Sequence, residues 1–160
     1  RYCICMTPNI PRTKSRGRLW LLSRNPDIKP AIDFGYFTDP DGYDEQTIVD
    51  GLEIAREVAA TGPFKDWIKR EIAPGPAITS RPDLSTYGRA VHHTVYHPLG
   101  GCKIGAVDDP TTVVGPDLKV KGVDGLRVAD GAIFPALTTV NPVVGILMIG
   151  EKCADMILNP

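Results

Sequence analysis

The chain has 160 residues, 42% of them hydrophobic, with 18 basic and 19 acidic side chains and a net charge of −1, the balance of an ordinary globular domain. Lys and Arg form no stripe beyond the loose cluster Arg12, Lys14, Arg16 and Arg18, which argues against a nucleic-acid partner. The longest apolar run, residues 143–149 interrupted by Gly145, is too short to anchor the chain in a membrane.

The chain begins at Arg1 and enters at once the apolar stretch Tyr2-Cys3-Ile4-Cys5-Met6, so the expectation is that further polypeptide precedes it. Residues 2–7 read as a strand, and residues 8–17 as a loop. Cys3 and Cys5 would share one strand face, outside any zinc or redox spacing. With Cys102 and Cys153 they read as free thiols of the cytoplasm or another reducing compartment. Residues 18–23 form a second strand, turned at Asn25-Pro26-Asp27, and residues 31–34 a short extended piece before the turn at 38–42.

The first helix is expected over residues 44–60. Ile48, Leu52, Ala55 and Ala59 stand at i, i+4, i+7 and i+11, one apolar stripe flanked by Val49 and Val58. Ile54 lies off it, and Gly62-Pro63 ends the helix. A shorter helix follows over 64–72, and a third from Arg81-Pro82-Asp83 to about His93. Val95-Tyr96-His97 reads as extended and is broken by Pro98-Leu99-Gly100-Gly101. Residues 113–117 and 120–124 are short turn-rich strands, 126–129 is a buried strand, and 142–158 is an apolar, buried helix. Helices and strands mix without a βαβ rhythm, so the fold class is α+β.

Three places draw chemical interest. Asn141-Pro142 opens the last helix, with Asn at the cap and Pro at the first helical position; a plain cap satisfies the pattern. A buried helix also aims its free N–H groups and positive dipole end at something electron-rich. His97 stands between a strand end and a Pro-Leu-Gly-Gly break, an element terminus where active sites collect, although a structural histidine needs only burial and one hydrogen bond. Asp130-Gly131-Ala132, a strand followed by a glycine turn, suits close backbone approach to a phosphate. A metal site from Cys102, His92, His93 and His97 is disfavoured, because the histidines fall at i, i+1 and i+5 and no acidic ligand is near.

Taken together, Ser15-Arg16-Gly17, Tyr36-Phe37-Thr38-Asp39-Pro40, Val95-Tyr96-His97-Pro98-Leu99-Gly100-Gly101-Cys102-Lys103-Ile104-Gly105, Leu126-Arg127-Val128-Ala129-Asp130-Gly131 and Val140-Asn141-Pro142 resemble the C-terminal part of the glucose–methanol–choline (GMC) family of FAD oxidoreductases. The wording is most similar to the branch of choline oxidases and choline dehydrogenases. The resemblance implies an antiparallel sheet backed by helices, residues 1–95 forming part of a substrate-binding domain, and residues 96–160 returning to an FAD-binding domain. It implies that His97 and Asn141 face the substrate, and that Val95 and Tyr96 line its pocket. Asp130, Gly131 and Ala132 would lie against the FAD pyrophosphate and ribityl chain, and Asn141, Pro142 and Val143 would bind the cofactor too, the amides after Asn141 facing the flavin pyrimidine edge. The Gly-rich dinucleotide fingerprint is absent, so the N-terminal FAD-binding half is expected on other polypeptide.

The implied reaction oxidises a primary alcohol to a carbonyl by hydride transfer to the flavin, which oxygen or another acceptor then reoxidises. His97 would take the hydroxyl proton or hold the developing alkoxide as a cation, and Asn141 would donate to the same oxygen. A small alcohol is the implied ligand, and a homo-oligomer is compatible with the sequence. Two competitors are a GMC-like cyanohydrin lyase, which uses no flavin redox chemistry, and a non-catalytic interaction module built on residues 44–60.

Overall fold

In the computed structural model, which describes residues 2–10 and 12–159, helices follow the periodic apolar stretches and irregular backbone follows the Gly- and Pro-rich ones. The fold is α+β: β1 (Arg18–Trp20), β2 (Ala31–Asp33), α1 (Tyr43–Ala59), α2 (Gly62–Trp67), α3 (Arg81–Val91), a 3₁₀ turn (Gly131–Ile133) and α4 (Val143–Leu158). The chain divides into two units, one containing Phe34–His93 with the segment ending at Gly17, the other Arg18–Asp33 with the segment from Thr94 onward.

The first unit is built on α1 and α3. Val49 and Leu84 are fully buried between them, and the predicted stripe Ile48, Leu52, Ala55 and Ala59 is half-buried. Gly88 makes close approach feasible: a Cβ there would stand 3.3 Å from Ile48 Cγ2. Gly51, which weakens a helix by propensity alone, has a packing reason, since a Cβ would meet Pro8 Cβ at 2.6 Å. Buried Asp44 accepts the backbone N–H groups of Lys14 and Ser15, both at 2.9 Å. The Ser15 hydroxyl in turn donates to Asp39, whose carboxylate caps α1 by accepting the Tyr43 N–H at 2.6 Å. Desolvation pushes the Asp39 pKa upward, but these donated bonds outweigh it and hold the group below the usual carboxylate range.

In the second unit β1 and β2 pair antiparallel, Arg18 opposite Asp33 and Trp20 opposite Ala31. Its core gathers Val114, Leu118, Ile133, Ile149 and Cys153, with Ile104, Phe134 and Met156 packed against them.

Several expected elements are corrected. Residues 2–7 form no strand; the run is apolar, but among the described residues no partner strand pairs with it, and an isolated strand leaves its backbone groups to water. The expected strand over 18–23 keeps only Arg18–Trp20. The second helix starts at Gly62, because Pro63 fits its first turn, and stops at Trp67 rather than at residue 72. Residues 113–129 make isolated bridges, Ile104 with Val114, Val114 with Val120 and Lys119 with Arg127, rather than strands, since a turn intervenes every few residues. The four cysteines are free thiols.

Candidate functional site

The segment around His97 is a tight turn, not the extended stretch its β-branched residue suggests. Val95 and Tyr96 take φ of 51° and 62°, a left-handed pair that non-glycine residues adopt rarely. The turn closes where the His97 N–H donates to the Thr94 carbonyl at 3.2 Å and the Tyr96 N–H to the Thr94 hydroxyl at 3.0 Å. His97 and Val95 are half-buried and the Tyr96 side chain is exposed.

Beyond His97 the chain runs alongside the Asp130 turn. Gly100 N–H donates to Gly131 O, Cys102 N–H to Ala132 O at 2.8 Å and Ile104 N–H to Ile133 O at 2.9 Å. Gly100, at φ +84°, permits the turn-in, and a Cβ there would approach the Phe134 carbonyl. Asp130 caps the 3₁₀ turn with its own carboxylate, accepting the Ala132 N–H at 2.6 Å. Gly131 sits under the crossing: a Cβ would meet Leu99 Cδ2 at 2.7 Å and Ile146 Cδ1 at 3.2 Å. Phe134 is packed as tightly on Gly145, whose Cβ would stand 2.9 Å from the ring. The loop after His97, the Asp130–Ala132 turn and the first turns of α4 therefore meet at one place.

At the head of α4 the sequence expectation needs two corrections. The helical residues start at Val143, buried Pro142 takes the cap position, and no side chain caps the end; Asn141 lies one residue earlier and is exposed. The first bond back across this end is Ile146 N–H to Pro142 O at 2.9 Å, which leaves the amides of the first turn turned outward. Nor is α4 buried all round: Val143, Val144, Leu147 and Met148 are exposed, and Ile149 and Cys153 are its buried residues. The helix carries more apolar surface than the second unit can cover.

Among the described residues no hydrogen bond or ion pair holds the His97 ring or the Asn141 amide, and no buried polar side-chain atom is left without a partner. Their polar atoms are therefore open to a ligand rather than spent on the fold. The segments that carry them, the loop after His97 and the first turn of α4, meet where Leu99 and Ile146 close on Gly131. Uncapped amides and an accessible amide side chain form a donor set that suits an electron-rich ring edge. Thr94 and Leu99 escaped the sequence reading, because their roles lie in backbone hydrogen bonds and in one long-range contact.

The family model for GMC oxidoreductases matches residues 13–150. The chain belongs to the GMC oxidoreductase family. Within it, choline oxidase of Arthrobacter globiformis is 46% identical over 95% of this chain and 28% of its own length. An oxygen-dependent choline dehydrogenase of Rhizobium rhizogenes is 40% identical over 92% and 26%. The chain thus spans about a quarter of the length of these curated relatives. Among solved structures, an FAD-dependent oxidoreductase from Chaetomium thermophilum superposes with a TM-score of 0.82 at 28% identity, covering 92% of this chain and 25% of that one. A fungal aryl-alcohol oxidase gives 0.73 at 30% identity, covering 88% and 23%. The GMC family is one of FAD oxidoreductases, and the choline-oxidizing members stand among this chain's relatives.

Proposed function

We propose that this chain is the C-terminal part of an FAD-dependent enzyme that oxidises a primary alcohol to a carbonyl, with residues 1–95 contributing to the substrate-binding domain and 96–160 to the FAD-binding domain. The observation that carries the reading is the convergence of the His97 loop, the Asp130–Ala132 turn and the uncapped head of α4. Bound FAD supplies the two-electron acceptor. Asp130, Gly131 and Ala132 would hold its pyrophosphate and ribityl chain. The amides at the head of α4, from Asn141 to Val143, would face the pyrimidine edge, where the helix dipole favours negative charge by about 0.3–2 kcal/mol.

His97 would receive the hydroxyl proton of the alcohol on an imidazole nitrogen and, as the imidazolium so formed, hold the alkoxide as a cation. The Asn141 amide donates to the same oxygen and fixes its direction without titrating. Val95 and Tyr96 line the pocket on the substrate side. The partner this needs is the N-terminal FAD-binding half, and the four free thiols suit a reducing compartment. No helix among the described residues is long and apolar enough to cross a membrane.

The similarity to choline-oxidising relatives makes choline the first substrate to test. The assembled protein, mixed anaerobically with choline and a panel of primary alcohols, should lose its oxidised-flavin absorbance with at least one of them. A flavin that stays oxidised while the protein cleaves cyanohydrins would establish the lyase instead.

A further inference from the structure

The turn that presents His97 is held at both ends, and Thr94 contributes to the upstream end through both its carbonyl and its hydroxyl. Downstream, the Gly100 and Cys102 amides are registered on Gly131 and Ala132. Upstream, the Thr94 carbonyl accepts the His97 N–H, and the Thr94 hydroxyl accepts the Tyr96 N–H two residues on. Between these anchors lie two residues in the left-handed region, one of them β-branched Val95, where the Cβ collides with the local backbone. Intrinsic preference would pull both residues back toward extended backbone. Such a pair persists only where its surroundings over-determine it. Any relaxation at residues 95 and 96 rotates the following peptide and swings the His97 ring, whose side chain has no hydrogen bond of its own among the described residues to hold it.

We propose that Thr94 is a positioning residue: its hydroxyl, by accepting the Tyr96 amide, locks the left-handed turn and thereby fixes the direction of the His97 imidazole toward the reacting alcohol. The inference rests on His97 being the acid–base group. The Thr94 carbonyl alone cannot do this work, because it closes the turn's width without choosing between the left-handed pair and its mirror. A threonine hydroxyl adds a second acceptor at a defined place inside the turn.

The test uses the assembled flavoprotein and anaerobic stopped-flow reduction by its alcohol. Thr94→Val keeps the shape and the carbonyl but removes the acceptor, and should slow flavin reduction about tenfold, since small misplacements of a reacting group cost that much or more. Flavin content and thermal midpoint should stay near wild type, which separates positioning from folding. Thr94→Ser, which restores the hydroxyl, should return the rate to within about twofold of wild type, in keeping with rescue by the missing acceptor. In a His97→Ala background, Thr94→Val should add no more than about twofold, because the two act as a unit. If His97→Ala is slow while Thr94→Val runs at the wild-type rate, or slows both backgrounds equally, the positioning role is overturned and His97 keeps its assignment. A His97→Ala enzyme at the wild-type rate would overturn both.

Discussion

Gly131 to Ala probes the crossing on which the proposed site is assembled. The backbone there lies outside the left-handed region, so alanine brings no conformational strain, only volume. Its Cβ would stand 2.7 Å from Leu99 Cδ2 and 3.2 Å from Ile146 Cδ1, against an ordinary carbon–carbon separation of about 3.5–4.0 Å. Leu99 must therefore yield by most of an ångström and Ile146 by a few tenths. Overpacking of this kind costs about 1–3 kcal/mol, which lowers the thermal midpoint. Leu99 follows His97 by two residues, so its displacement should also slow flavin reduction. The assay is flavin-fluorescence melting of the assembled protein, in wild-type and Leu99→Ala backgrounds. Removing the Leu99 methyls should relieve the clash and give a favourable coupling of about 1 kcal/mol or more, within the range for residues in contact. Equal destabilisation in the two backgrounds would show that Leu99 and Gly131 do not meet.

Asn141→Asp should melt near wild type, since no cap bond is at stake, yet reduce flavin more slowly, because an ionised carboxylate cannot donate to the alcohol oxygen; a wild-type rate in stopped-flow would remove Asn141 from the chemistry. Asp44→Ala should destabilise by about 3–5 kcal/mol in denaturant titration, since it strips two charge-assisted acceptors from the Lys14 and Ser15 amides, and Asp44→Asn, which keeps one acceptor, should cost about half. The 160-residue chain expressed alone should aggregate and retain no FAD, since Val143, Val144, Leu147 and Met148 face water; a monomeric, cooperatively melting species with bound flavin would contradict this.

What the sequence revealed depended on how local the determining physics is. The periodicity of Ile48, Leu52, Ala55 and Ala59 located α1 to within a residue, because helix hydrogen bonds and the apolar stripe are both local. Residues 2–7 show that an apolar run alone makes no strand; pairing does. At Val95 the β-branched side chain favours extended backbone, and the turn is held by the local Thr94 acceptors together with the ladder from Gly100 to Gly131, whose partners lie more than thirty residues apart in sequence. The apolar run of α4 was legible, but its burial was not, since composition cannot say which surface covers a helix. The residue types around His97 and Asn141 carried the family resemblance. The meeting of Leu99 and Ile146 over Gly131, on the segments that carry them, became visible only in three dimensions.

The central claim is that His97 acts on the alcohol's proton beside a flavin, and the most direct measurement is anaerobic reduction of the assembled enzyme with and without that ring. His97→Ala is predicted to keep its flavin and its fold, as the ring makes no internal hydrogen bond among the described residues, and to reduce about 10²–10⁴-fold more slowly. Flavin reduction by the alcohol at close to the wild-type rate in that variant would contradict the account.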